Sequence, residues 1–278
     1  TLAVVGGTAA LGVASVPFLR SETLLLRPPG ALNETLFLAS CFKCGQCLQV
    51  CPPQVIKLAG ISDGFGIGTP YITPRDGGCI LCAGLPCVLA CPTGALDHHI
   101  SEGKEAEMGL AVIERPDSCL SLKGANDLVF RLENLEQNRI KHIPDEKAEI
   151  EDILTKLIAR LTAPEKVLLL KLLKVANEAS LDLKQLSINI NKDTLIEVLA
   201  FTKSANQATS PCTICLSECP IKDEKTIIFE KTTPTTENKT TYRPVVQKSC
   251  VGCGVCEEQC PTSPSSITIT PRLTWQNG

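Results

Sequence analysis

A chain of 278 residues is long enough for one large core or two modest ones, and its formal charge of -3 leaves no electrostatic case for a nucleic-acid partner. Sixteen cysteines stand against one tryptophan, one methionine and two tyrosines, so an aromatic-rich core is not what organises the fold. Fifteen of those cysteines fall into four tight runs, unlike the scattered thiols of small disulfide scaffolds and unlike the paired knuckles that close on one zinc ion.

The chain opens on Thr1, which reads as processing or truncation, and residues 1–19 carry no charge. Such a stretch reads as a bilayer span, the hydrophobic part of an export signal or a buried helix. Export or tethering is favoured, so residues 1–20 are expected to be a membrane anchor or the remnant of an export signal. Pro28, Pro29 and Gly30 then forbid regular helix before Asn33 offers a cap.

The first run is Cys41-x2-Cys44-x2-Cys47-x3-Cys51-Pro52, the bacterial ferredoxin spacing. Three cysteines two apart can wrap one 4Fe-4S cubane, while the fourth, expected to start a short helix, points to a second cluster. The second run, Cys79-x2-Cys82-x4-Cys87-x3-Cys91-Pro92, widens the middle gap through Leu85 and Pro86. Between the runs, Gly64-x-Gly66-x-Gly68 lacks dinucleotide-binding spacing and reads as a turn. His98 and His99 have no third ligand at supporting spacing and read as surface residues. MGLAVIERP, ending at Pro116, reads as part of a local hairpin.

Residues 125–211 lack cysteine and carry helical periodicity. Ile150, Ile153, Leu154, Leu157, Ile158 and Leu161 predict a helix from about residue 145 to 161. Thr162 caps the next helix, which opens with Pro164 and Glu165 and continues through Leu173. A third carries Leu195, Ile196, Val198 and Leu199. A small antiparallel bundle, inserted into the cysteine-rich chain, fits best, and its apolar faces read as a self-packed core before a docking surface.

The third run has only Cys212-x2-Cys215-x3-Cys219-Pro220, and lone Cys119 is its obvious fourth member, separated from it by the insertion. The bland alternative for Cys119 is a buried free thiol. The last run, Cys250-x2-Cys253-x2-Cys256-x3-Cys260-Pro261, repeats the first. The expected ligands are thus Cys41, Cys44, Cys47, Cys51, Cys79, Cys82, Cys87, Cys91, Cys119, Cys212, Cys215, Cys219, Cys250, Cys253, Cys256 and Cys260, enough for four [4Fe-4S] clusters without remainder. Spacing leaves open whether the first run pairs with the second and the third with the fourth, or the first with the fourth and the second with the third. The expected fold is α+β, with tandem bacterial-ferredoxin-like modules of two clusters each. Its segments are 21–124, the helical insertion 125–211 and 212–278, after the apolar N-terminal segment 1–20.

Several stretches outside the cysteines, RPPGALNE (27–34), GTPYITPRD (68–76), CPTGALD (91–97) and MGLAVIERPDSCL (108–120), resemble the NapG/MauM group of ferredoxin-type proteins. CGQC (44–47) and CVGCGVCEEQC (250–260) do so as well. The resemblance implies an electron-transfer subunit, not an enzyme alone, on the outer face of the bacterial inner membrane, tethered by its N-terminus. It implies a polytopic membrane partner that oxidises quinol, and delivery to a periplasmic cytochrome or terminal reductase of the nitrate-reducing type. The helical insertion departs from the family pattern. Two rivals use the same cysteines: a polyferredoxin subunit of a cytoplasmic hydrogenase or dehydrogenase complex, and a zinc-stabilised interaction protein.

Overall fold

The computed structural model describes residues 24–137, 146–175, 181–205, 210–232 and 241–271. The apolar segment 1–20 and the polar stretch 233–240 lie outside the described residues. Among those described, no helix is long and apolar enough to cross a membrane.

Entry into the first cysteine region is fixed by polar side chains. Helix α1, Glu34–Ser40, begins where the Asn33 side chain accepts from the Leu36 N–H at 2.9 Å, which satisfies one of the orphan donors of a helix start. Each three-cysteine loop then runs into a one-turn helix that carries the third cysteine. These are α2 (Gln46–Gln49, with Cys47) and α3 (Pro86–Leu89, with Cys87). The fourth cysteines, Cys51 and Cys91, come after the turn, which corrects the expectation that they start a helix. The proline that follows each of them disfavours helical backbone in the residue before it, so the turn stops there.

Between these turns, β1 (Ile56–Leu58) and β2 (Pro70–Ile72) pair antiparallel as a hairpin, closed by a 3-10 turn over Ile61–Gly66. An isolated bridge from Leu26 to Ile72 and another from Ala31 to Leu96 bring the entry and exit of this region together.

Strand β3, Gly109–Ile113, alternates buried and more open positions as a half-buried strand should, but it makes no local hairpin. Its antiparallel partner is β6, Ile267–Pro271, at the far end of the chain, with Ala111 opposite Ile269. Periodicity identifies a strand without naming its partner, and the Pro116 turn after β3 leads towards Cys119 instead of back along the strand.

Five helices follow: α4 (Asp127–Glu136), α5 (Glu146–Arg160), α6 (Ala163–Leu172), α7 (Leu183–Asn189) and α8 (Lys192–Ser204). Helix α4 packs on α5 and α8, α5 on α7, and α6 on α8. Leu128, Leu132, Ile153, Leu154, Leu157, Leu169 and Val198 form a core that contains no cysteine. Glu165 accepts from both the Thr162 N–H and its hydroxyl, fixing the start of α6. Arg131 of α4 reaches Glu149 and Asp152 of α5, and Arg160 pairs in bidentate fashion with buried Asp127.

The chain then returns through α9 (Ile214–Ser217, with Cys215), the antiparallel pair β4 (Ile227–Thr232) and β5 (Thr241–Val246), and α10 (Val255–Glu258, with Cys256). Gly254 opens α10 at φ +92°, a left-handed conformation that glycine adopts without steric cost. Val251, Cys253 and Val255 pack into the same core as Leu26, Phe37, Cys79 and Val88, so the first cysteine region and the last run share an interior.

Candidate iron-sulfur sites

None of the sixteen cysteines is engaged in a disulfide. The fold gathers them in fours. Cys41, Cys44, Cys47 and Cys91 line one cavity, roofed by Phe37, Phe42 and Leu96 (site 1). Cys219, Cys250, Cys253 and Cys256 line a second, with Ala111, Ile227 and Ile269 (site 3). Cys119, Cys212, Cys215 and Cys260 line a third, with Ile113, Ile214 and Ile267, and Cys256 borders this one too (site 4). The remaining four, Cys51, Cys79, Cys82 and Cys87, are assigned together by elimination (site 2). Burial and then Cys51 raise the Cys82 thiol, and burial, Cys51 and Cys82 raise that of Cys87.

Every group takes three thiols from one run and a fourth from another. The first run exchanges with the second, and the third with the last, so of the two pairings that spacing leaves open the geometry takes this one. Cys119 sits with Cys212 and Cys215 although the helices lie between them in sequence. Two contacts close that gap: the Cys212 N–H donates to Ala125 O at 2.9 Å, and Asn126 Nδ2 donates to Ser210 O at 3.0 Å.

The chemistry of the donor set suits a multi-iron group. Burial, with neighbouring thiols adding to it, pushes Cys47, Cys79, Cys215 and Cys253 up to about 12 and Cys87 up to about 11. Four such thiolates cannot be charged together in a dry cavity unless positive charge lies among them, which bound iron supplies. Among the described residues, no three His, Cys, Asp or Glu side chains converge tightly enough to hold a single bare ion.

Two ligand-position cysteines run the other way. Burial raises Cys91, but the Leu96 N–H (3.4 Å) and Thr93 together outweigh it and hold the thiol below its ordinary range. At Cys260 burial is likewise overcome by Ser265, Thr262 and the Ser266 N–H. Ser118, Ser266 and Thr262 form a run of hydroxyls at 2.9 and 2.8 Å that ends on Cys260 Sγ at 3.3 Å. Sequence reasoning missed these threonines, although the repeat of Cys-Pro-Thr at 91–93 and 260–262 was there to be read. His98 donates through Nε2 to Cys91 O at 2.8 Å, a contact to backbone.

Residues 40–122 match the 4Fe-4S dicluster domain family. The ferredoxin-type protein NapG of Escherichia coli K12 is 44% identical over 130 residues, which is 45% of this chain and 56% of that protein. The methylamine utilization ferredoxin-type protein MauM of Paracoccus denitrificans is 29% identical over 248 residues, 89% of this chain and 71% of its own. The chain is thus similar in sequence to the NapG and MauM ferredoxin-type proteins. The match spans about half the length of the NapG proteins, and MauM of Methylobacillus flagellatus is 46% identical over 102 residues, 44% of that protein. No solved structure matches.

Two of the stretches that carried the NapG/MauM resemblance prove to be one interlocked unit. Arg27, 2% exposed, lies 4.9 Å from the Phe37 ring centre and donates through Nε and Nη2 to Glu34, so it ties the two ends of RPPGALNE together. Its Nη1 reaches Thr69 Oγ1 and Pro70 O at 2.9 Å, both within GTPYITPRD. This buried guanidinium holds the wall behind site 1, because Phe37 also lines that cavity.

Proposed function

We propose that the chain is an electron-transfer subunit holding four [4Fe-4S] clusters at sites 1 to 4, in two tandem ferredoxin-like modules. The observation that supports the reading is that three cavities are each lined by three thiols of one run and the exchanged fourth member of another, which leaves four thiols for a fourth site. The first module comprises Cys41 to Cys91. The second comprises Cys119 and Cys212 to Cys260, with residues 125–211 as an insertion between its first ligand and the rest. Each module shares one plan: an entry and an exit that pair (Ala31 with Leu96, β3 with β6), and a hairpin between its two cysteine runs.

A cubane takes up and returns one electron. The chain's own work is to bury the thiolates, to keep neighbouring sites close through the exchanged ligands, and to bias the potentials with N–H and O–H donors such as Leu96, Ser266 and Thr262. In this reading the thiols serve as ligands and not as nucleophiles, which is consistent with electron transfer.

From the NapG and MauM likeness we further propose a place on the periplasmic side of the bacterial inner membrane, with residues 1–20 as tether or export-signal remnant. The donor is a polytopic quinol-oxidising membrane subunit, and the acceptor a periplasmic cytochrome or terminal reductase.

The test is anaerobic iron and acid-labile sulfide content of the full chain, with electron paramagnetic resonance after dithionite reduction. About sixteen of each and spin-coupled spectra are expected for four cubanes. Zinc without sulfide would overturn the redox reading, and about twelve of each would remove site 4 from it.

A further inference from the structure

Two dicluster modules on one chain conduct as a unit only where a site of one lies against a site of the other. Building on the ligand sets proposed above, we infer that the four sites form a single series, 1–2–3–4, joined between modules at the contact of Gly78 and Cys79 with Cys253 to Val255.

Four observations converge on that place. The Cys79 N–H donates to Cys253 O at 2.8 Å, a main-chain bond between a thiol residue of site 2 and one of site 3. Gly78 packs so closely that a Cβ on it would lie 2.5 Å from Val255 N and 2.6 Å from Val255 Cα, so no other residue fits without moving backbone. Its own N–H donates to Glu258 Oε2 at 2.8 Å. Arg75 clamps the same face, with Nη1 donating to Glu257 O and Cys260 O at 2.8 Å and Nη2 to Thr262 O at 3.0 Å. Cys79 and Cys253 also share one hydrophobic core with Val251 and Val255.

Within each module the neighbours are fixed by the exchanged ligands. The first run gives Cys47 to site 1 and Cys51 to site 2, and Cys256 borders the cavities of both site 3 and site 4. Sites 2 and 3 are therefore the inner pair, and sites 1 and 4 the ends. Cys44 and Phe42 are exposed at site 1, which opens that end to an external partner. An electron from an external one-electron donor at one end leaves to an external one-electron acceptor at the other. No bond forms or breaks and no proton moves.

The experiment uses the full chain with two sites removed at a time, reading iron content and the dithionite-reduced electron paramagnetic resonance spectrum. Cys41→Ala with Cys119→Ala leaves sites 2 and 3, and should keep about eight irons, four per cubane, with a spectrum broadened by coupling between them. Cys82→Ala with Cys250→Ala leaves sites 1 and 4, and should show narrow, uncoupled signals. Adding Gly78→Ala to the first pair should narrow its spectrum at unchanged iron; if that chain loses iron, Arg75→Ala in the same background carries the comparison and should narrow the spectrum likewise. Narrow signals from the first pair at about eight irons, or stronger coupling in the second pair than in the first, would overturn the series while leaving the ligand sets intact. Iron well below about eight in the first pair would overturn the ligand sets themselves, and the series with them.

Discussion

Thr93 and Thr262 occupy equivalent places, each two residues after the fourth cysteine of its run, and each hydroxyl approaches a thiol that belongs to an outer site. A donor to a thiolate sulfur stabilises the more negative, reduced state, so it raises the reduction potential. A hydrogen bond worth about 0.5–1.5 kcal/mol corresponds to about 20–60 mV for one electron. Thr262→Val is expected to shift site 4 to lower potential by an amount in that range. Thr93→Val should shift site 1 by less, since its contact is 3.8 Å against 3.3 Å, and potentiometric titration of each variant followed by electron paramagnetic resonance checks both. At this scale the cysteines were legible because the ligand interval is a property of the chain alone. The threonines repeat as Cys-Pro-Thr and passed unread, whereas the Ser118 contact to Ser266, 148 positions away, is a tertiary fact. Cys119 stands between the two cases. Arithmetic on the runs singles it out, but only the Cys212 to Ala125 contact brings it to its companions.

Helices with a long apolar stripe were readable to within a residue or so: the periodicity over 145–161 is met by α5 at Glu146–Arg160. Helix α7, at seven residues, is too short for its period to rise above composition, whereas α4 carries Leu128, Leu132 and Leu135 at helical steps, a signal that was there to be read. The α4 cap has a double task. Asn126 Oδ1 accepts from the Leu128 and Val129 N–H groups, and its Nδ2 donates across to Ser210 O. Asn126→Ala is expected to destabilise the helical segment by about 0.5–2 kcal/mol, the range for a lost cap. Because the same residue draws the segment before Cys212 towards Ala125, site 4 should be the first to lose iron as the variant is warmed, seen as a fall from about sixteen irons towards twelve before the other sites respond. Circular dichroism at the helix band, run beside iron release, separates the two effects. Strand partners were the least legible elements. The alternation in MGLAVI marks β3, yet its partner β6 lies more than 150 residues away, and no local turn signal points there.

On the scale of the whole molecule, the helical segment is an excursion whose two ends meet. Replacing residues 127–209 by a short Gly-Ser link is expected to leave about sixteen irons per chain under anaerobic conditions, since Ala125 and Cys212 already touch. The same variant should lose iron from site 4 faster in air, because the helices no longer screen it; Lys156 of α5 reaches Gln259 between two of the last run's cysteines at 3.4 Å. Iron content against time of exposure to air measures this, and a count near twelve without air would contradict it. Composition and spacing made the α+β, cysteine-rich character plain. They did not disclose the shared core, which depends on Gly78 meeting Val255 across 177 positions. The separation of Cys119 from Cys212 also has a consequence in time. At a synthesis rate of about 5–20 residues per second, the thiols of sites 1 and 2 are all outside the ribosome while Cys119 still waits roughly 5–20 s for its nearest companions. Strand β3 waits longer, until β6 emerges to close the sheet. Assembly of the second half thus waits on residues made long after Cys119, and a nascent or truncated product ending before Cys212 would present the first two cysteine runs beside a lone thiol at Cys119.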